Sequence, residues 1–97
     1  MTFVPMYHLT ENRFAEFFRD SAETGMGYFV VDAILKDGRK FKQVVVDSGY
    51  VALVRGYGPE IPFTESEIDH FVVTHEKWDW RAERKNRESE GGNQKSV

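Results

Sequence analysis

The residues of this 97-residue chain that could do chemistry are few, and their spacing argues mostly against it. His70 and His75 stand five apart. On a strand they face opposite sides, and on a helix they miss the i, i+4 spacing that lets two imidazoles share an ion. Asp69, Glu76 and Asp79 lie nearby but scattered, so ligand spacing favours surface histidines over a metal centre. Ser48 follows Asp47 in a turn-like stretch, where both side chains usually bond their own backbone. A serine nucleophile needs a base and an orienting acid converging on it, and no local signature supplies them. Glu65 and Glu67 sit at the start of a short helical turn, where carboxylates answer free N–H groups and the helix dipole. Gly56-Tyr57-Gly58-Pro59 lacks the Lys, the Ser/Thr and the long helix of a phosphate loop. With no catalytic constellation, the chain reads as a non-enzyme without cofactor or metal.

Two cationic clusters remain. Lys36, Arg39, Lys40 and Lys42 surround a predicted hairpin, and Arg84 and Lys85 lie with Arg81 and Arg87 near the C-terminus. Tyr28, Tyr50 and Tyr57 offer stacking faces, so together these could hold single-stranded nucleic acid. The competing reading is that hairpin charges solvate a turn and discourage edge pairing. Charge balance favours it. The formal net charge is −3, and residues 1–80 hold eight Lys/Arg against thirteen Asp/Glu, a net of −5. An acidic domain repels phosphate.

Cysteine is absent, which excludes disulfides, thiolate metal sites and cysteine nucleophiles. Small secreted domains usually need disulfide staples, so a reducing, cytoplasmic setting is expected. No secretory leader is read in residues 1–9. No apolar run approaches the length of a membrane-spanning helix, so no membrane partner is expected.

The elements that must position these groups follow from periodicity. Thr10 reads as an N-cap, followed by Phe14, Phe17 and Phe18 at i, i+3, i+4 of an amphipathic helix. Phe29, Val31, Ala33 and Leu35 alternate as a strand, Lys36–Arg39 is a hairpin, and Phe41 to Asp47 returns. The apolar run at Val44–Val46 breaks the alternation, which implies a bulge near Lys42–Gln43 or burial of both faces. Asp47-Ser48-Gly49 turns into a third strand, Tyr50 to Arg55. Ile61–Phe63 is a very short fourth strand, placed on an edge because Pro62 cannot donate to a ladder. Thr64 to Glu67 is a capping box opening one helical turn, and Asp69 to Glu76 is a fifth strand. A helix from Glu65 to Trp78 competes, but Phe71-Val72-Val73-Thr74 is rich in strand formers. Residues 1–80 form one domain, and 81–97, charged and then Gly/Ser/Asn/Gln-rich, read as a disordered tail.

The expected fold is therefore α+β: an N-terminal helix followed by a strongly bent five-stranded antiparallel sheet. The order of elements, with Leu35-Lys36-Asp37-Gly38 before Phe41 and Ile61–Phe63 leading through Ile68 to Val73, resembles the Sm-like fold and other SH3-like small barrels. The resemblance is one of layout over residues 10–76. It implies a bent barrel. Gln43 stands where that family commonly places a bending glycine, and no Asn follows Asp47 to form a uridine pocket.

The function read from these features is a non-enzymatic binding or assembly module with a protein partner, self or other, including a homo-oligomer joined through edge strands. Ile61, Phe63, Trp78 and Trp80 are its candidate partner surface, the two indoles pointing the same way or capping the barrel end. Single-stranded RNA or DNA binding through the basic hairpin and tail is the alternative.

Overall fold

A computed structural model of the chain describes residues 3–57 and 60–82. The disordered-tail reading, and with it Arg84 and Lys85, lies outside the described residues apart from Arg81 and Ala82. The described chain is a five-stranded antiparallel sheet curled into a half-barrel. In chain order its elements are β1 (Tyr7–His8), helix α1 (Asn12–Asp20), β2 (Tyr28–Leu35), β3 (Lys40–Asp47), β4 (Tyr50–Val54), a 3-10 turn (Glu65–Glu67) and β5 (Ile68–Val73). The strand order is β1-β4-β3-β2-β5, so β2, β3 and β4 form a meander and β1 and β5 are the ends.

Two turns set the register. Between β2 and β3, Gly38 takes φ 95°, and the N–H of Leu35 bonds the carbonyl of Arg39 at 2.8 Å. Between β3 and β4, Ser48 and Gly49 both have positive φ, the combination whose twist matches that of the flanking strands.

The curl comes from bulges. Val31 pairs Val44 and Ala33 pairs Phe41, so Lys42 and Gln43 together oppose Asp32. Gln43 bends the strand in the left-handed region at φ 55°, which costs a non-glycine residue strain. A second bulge lies in β4, where Val51 and Leu53 oppose Val46 and Val45, so Ala52 is the extra residue. A third lies at Asp69, between the pairs Leu35–Ile68 and Ile34–His70.

Both faces of the sheet are covered, which is why Val44–Val46 read as a continuous apolar run. The concave face carries the main core, with Val31, Ala33, Leu35, Val44, Val46, Val51 and Val54 against Leu9, Phe14, Ile61, Phe63, Ile68 and Phe71. The convex face carries Val30, Val45, Ala52 and Leu53 beneath Trp80, with Tyr28 and Trp78 alongside.

Several expectations are corrected here. Ile61–Phe63 is not a ladder strand. Ile61 makes one bridge with Val4, and the segment crosses the mouth of the half-barrel, where its apolar side chains close the core. Ile61 and Phe63 are fully buried, so neither can serve as partner surface. Trp80 is buried too, and Trp78 is half-buried. The indole pair covers the convex face and not a barrel end beside α1, because the chain after β5 folds back over β2, β3 and β4. The two-residue β1, with only Tyr7 and His8, was too short for a periodicity to reveal it.

Nor does Thr10 cap α1 with its hydroxyl. The helix begins after Glu11 with no side-chain cap, and the Glu65 carboxylate takes the N–H of Thr10 and of Glu11 at its entry, each at 2.8 Å. At the 3-10 turn, the Glu67 carboxylate accepts the Thr64 N–H at 2.8 Å. The region after it is a turn followed by a strand and not a helix. β5 ends at Val73, short of Glu76, because His75 turns the chain with φ 56°.

Candidate functional site

The basic hairpin is largely answered by its own carboxylates. Arg39 Nε reaches Asp37 Oδ2 at 2.8 Å, and its Nη2 reaches Glu67 Oε2 at 3.3 Å. The N–H of Arg39, and then its guanidinium, hold the Asp37 carboxyl below the usual range against a smaller effect of desolvation. Lys40 Nζ lies 3.6 Å from Asp32 Oδ2. Lys36 and Lys42 are exposed. Three carboxylates thus stand among four cations, which weakens the local field that phosphate would need.

The tyrosines are not gathered into a stacking platform. Tyr28 meets Trp80 edge-on with Arg81 over its ring, Tyr50 meets His8, and Tyr57 lies against Phe3 and Phe41. Arg55 lies over Trp78, 5.6 Å from the ring centre.

The titratable groups suspected of chemistry are dispersed. His70 Nδ1 pairs with Asp69 Oδ2 at 2.6 Å, and His75 Nδ1 with Thr24 Oγ1 at 2.6 Å. Thr24 Oγ1 also accepts the Val30 N–H, so this hydroxyl ties the end of β5 to β2. Ser48 donates to Asp47, and no hydrogen bond joins it to a histidine among the described residues. Among the described residues no three His, Asp or Glu side chains are placed to hold a metal ion.

What the fold does assemble is an open strand edge beside a groove. β5 pairs with β2 alone. The Thr74 N–H bonds the Val30 carbonyl, so in the alternating antiparallel pattern His70 and Val72 also turn their backbone groups toward β2. Phe71 and Val73 turn theirs away from β2, and no hydrogen bond meets them among the described residues; Phe71 is buried, so Val73 is the accessible part of this edge. Upstream the edge is closed. Arg13 on α1 donates to the carbonyls of Ile68, at 2.7 Å, and Asp69. The same guanidinium pairs with Glu11 at 2.7 Å and lies over the Phe14 ring at 4.1 Å.

Between α1 and this edge runs a groove of about 340 Å³ lined by Arg13, Phe14, Phe17, Asp69, His70 and Phe71. Its apolar floor follows from the i, i+3 spacing of Phe14 and Phe17 on α1 and from the inward face of Phe71 on β5. The aromatic spacing was legible in the sequence. Arg13 was not singled out, because its role depends on carbonyls 55 and 56 residues away. A second cleft, about 270 Å³, lies on the convex side among Thr24, Tyr28, Val30, His75 and Trp78.

Set against known proteins, the chain matches no family, no curated protein and no solved structure. No helix among the described residues is long and apolar enough to cross a membrane.

Proposed function

We propose that the chain is a non-enzymatic protein-binding or assembly module of the Sm-like or SH3-like small-barrel kind, acting in the cytoplasm, with the outer edge of β5 as its binding element. The observation that carries this reading is that β5 is an end strand whose partly exposed Val73 turns its backbone away from β2, with no hydrogen bond to it among the described residues. Such an edge is a template for a further strand, from a second copy or another protein. Native proteins usually blunt exposed edges, and here, among the described residues, Arg13 blunts the first two carbonyls. The cysteine-free composition supports a reducing compartment.

The test is amide shift mapping on the labelled chain, under three conditions: dilution, added short strand-forming peptides, and added single-stranded oligonucleotides at physiological salt. Selective shifts and new exchange protection at Val73, on concentration or with peptide, support the reading. Shifts confined to Lys36–Lys42 with oligonucleotide, lost at high salt, would replace it with nucleic-acid binding.

A further inference from the structure

We infer that residues 76–82 form a lid over the convex face of β2, β3 and β4, one that opens on its own while the sheet and its concave core stay folded. This motion is separate from the strand edge of β5.

The two covers of the sheet are fastened differently. On the concave side, the Glu65 carboxylate takes the N–H groups of Thr10 and Glu11 at the start of α1, and Arg13 on α1 holds the carbonyls of Ile68 and Asp69. Hydrogen bonds with a charged member are the stronger kind. On the convex side the chain leaves β5 through the N–H groups of Thr74 and His75, which share one acceptor, the Val30 carbonyl, at 3.2 Å each. Among the described residues, no hydrogen bond joins the backbone of Glu76, Lys77, Asp79 or Trp80 to the sheet. The Trp80 N–H turns back to the Trp78 carbonyl at 2.8 Å, and the Glu76 N–H to Thr74 Oγ1 at 3.4 Å.

Side-chain packing holds the lid down. Trp80 lies on Val30, Val45, Ala52 and Leu53, and the Arg81 guanidinium sits 4.5 Å from the centre of its ring and 4.8 Å from that of Tyr28. This packing is incomplete. A cleft of about 270 Å³ separates the first part of the segment, His75 to Trp78, from Tyr28 and Val30 on β2. Opening lets water reach the Trp80 Nε1, which has no partner among the described residues when closed. It also frees the backbone of residues 76–82 without breaking a ladder hydrogen bond.

The hinge lies just past His75. A φ of 56° at that residue turns the chain out of the line of β5 and onto the convex face. Its Nδ1 meets Thr24 Oγ1, and that hydroxyl accepts the Val30 N–H, so His75 stays with β2. Glu76 and Lys77, which follow, are exposed. The lid thus sets how much of the apolar face formed by Val30, Val45, Ala52 and Leu53 meets the solvent.

The chain has no cysteine, so one engineered thiol reports one place. Val44 and Val45 adjoin on β3, which has a neighbour on each side. Both are fully buried, Val44 in the concave core and Val45 beneath Trp80. Full-length Val44→Cys and Val45→Cys chains are labelled with a water-soluble aromatic disulfide, natively and at low urea. Val45→Cys should react about tenfold or more faster than Val44→Cys, with a rate that low urea hardly changes. The Val44→Cys rate should climb steeply with urea, because that thiol waits for the sheet to unfold. Phe17→Ala, on the concave side, should speed Val44→Cys alone, and Arg81→Ala should speed Val45→Cys. Val30→Cys and Val31→Cys repeat the comparison on β2 should either first variant fail to fold. Equal rates with one urea dependence, or acceleration of both thiols by Phe17→Ala, would show that the convex face opens only with the whole domain. A fast Val45→Cys indifferent to Arg81→Ala would equally overturn the lid, since reagent would then reach the thiol without it.

Discussion

Glu65 stands 55 residues after Thr10, yet its Oε1 accepts the Thr10 hydroxyl at 2.8 Å and its Oε2 the Thr10 and Glu11 N–H groups. One carboxylate thus binds the backbone of the two residues that lead into α1, and it fastens the start of the helix to the turn before β5. Desolvation pushes the Glu65 carboxyl up. The Glu11 N–H, the two Thr10 donors and the Arg13 charge outweigh it and hold the group below the usual glutamate range.

Glu65→Ala is expected to destabilise the fold by about 1–2 kcal/mol through the loss of hydrogen bonds to a charged group. Because the folded-state value is depressed, this stabilisation is present above the ordinary glutamate range and lost as pH falls through the folded value. Urea unfolding at neutral and acid pH should show the gap between wild type and variant closing with acidity. A constant gap would assign the loss to packing.

Tyr7 is expected to make the fold alkali-sensitive. Its hydroxyl donates to the Phe63 carbonyl at 3.0 Å. Burial, with the charges of Glu65 and Glu67, pushes its ionisation well above the ordinary tyrosine range. The folded state therefore keeps the proton longer than the unfolded chain, and stability falls as pH rises past about 10, the unfolded value. Tyr7→Phe should cost about 1 kcal/mol near neutrality and flatten that alkaline decline. An unchanged alkaline slope in denaturant titrations would point to another tyrosine.

Gln43→Gly should stabilise the domain by about 1 kcal/mol, since glycine takes positive φ without the penalty of a Cβ. The exposed bond between the Gln43 side chain and Arg55 Nη1, 2.9 Å long, is the only contact of that amide forfeited among the described residues. Gln43→Val should move thermal melting the other way, because a β-branched side chain tolerates this conformation worst.

Phe14, 3% exposed and stacked edge-on against Phe71, anchors α1, while Phe17 is half-buried at the groove. Phe14→Ala should cost about 3–5 kcal/mol and Phe17→Ala clearly less. Equal losses in chemical denaturation would contradict this division of the helix face.

Trp80 buries its ring on the convex face while its Nε1 has no hydrogen-bond partner among the described residues. Trp80→Phe removes that orphan donor together with some apolar area, so the two effects offset and the change should stay within about 1 kcal/mol. Trp80→Ala should cost about 3–5 kcal/mol by uncovering Val30, Val45, Ala52 and Leu53. A Phe variant as damaged as the Ala variant would show that the indole N–H is satisfied.

The sequence by itself determined the meander. Alternation at Phe29–Leu35, the glycine of Lys36–Arg39, and the Asp47-Ser48-Gly49 turn are local signals, and local sterics alone decide them. For the Val44–Val46 run the sequence left two explanations, a bulge near Lys42–Gln43 or burial of both faces, and the structure has both. Tertiary structure decided the rest. Ile61–Phe63 reads as an edge from Pro62, yet it closes the core, because burial depends on what the curled sheet leaves open at its mouth. Trp78 and Trp80 read as capping a barrel end or as a partner surface, and the return of the chain lays them on the convex face instead. The position of β5 at the end of the sheet is equally invisible in sequence. Whether a strand has one neighbour or two is a property of sheet order, and sheet order is set by contacts between residues far apart in the chain.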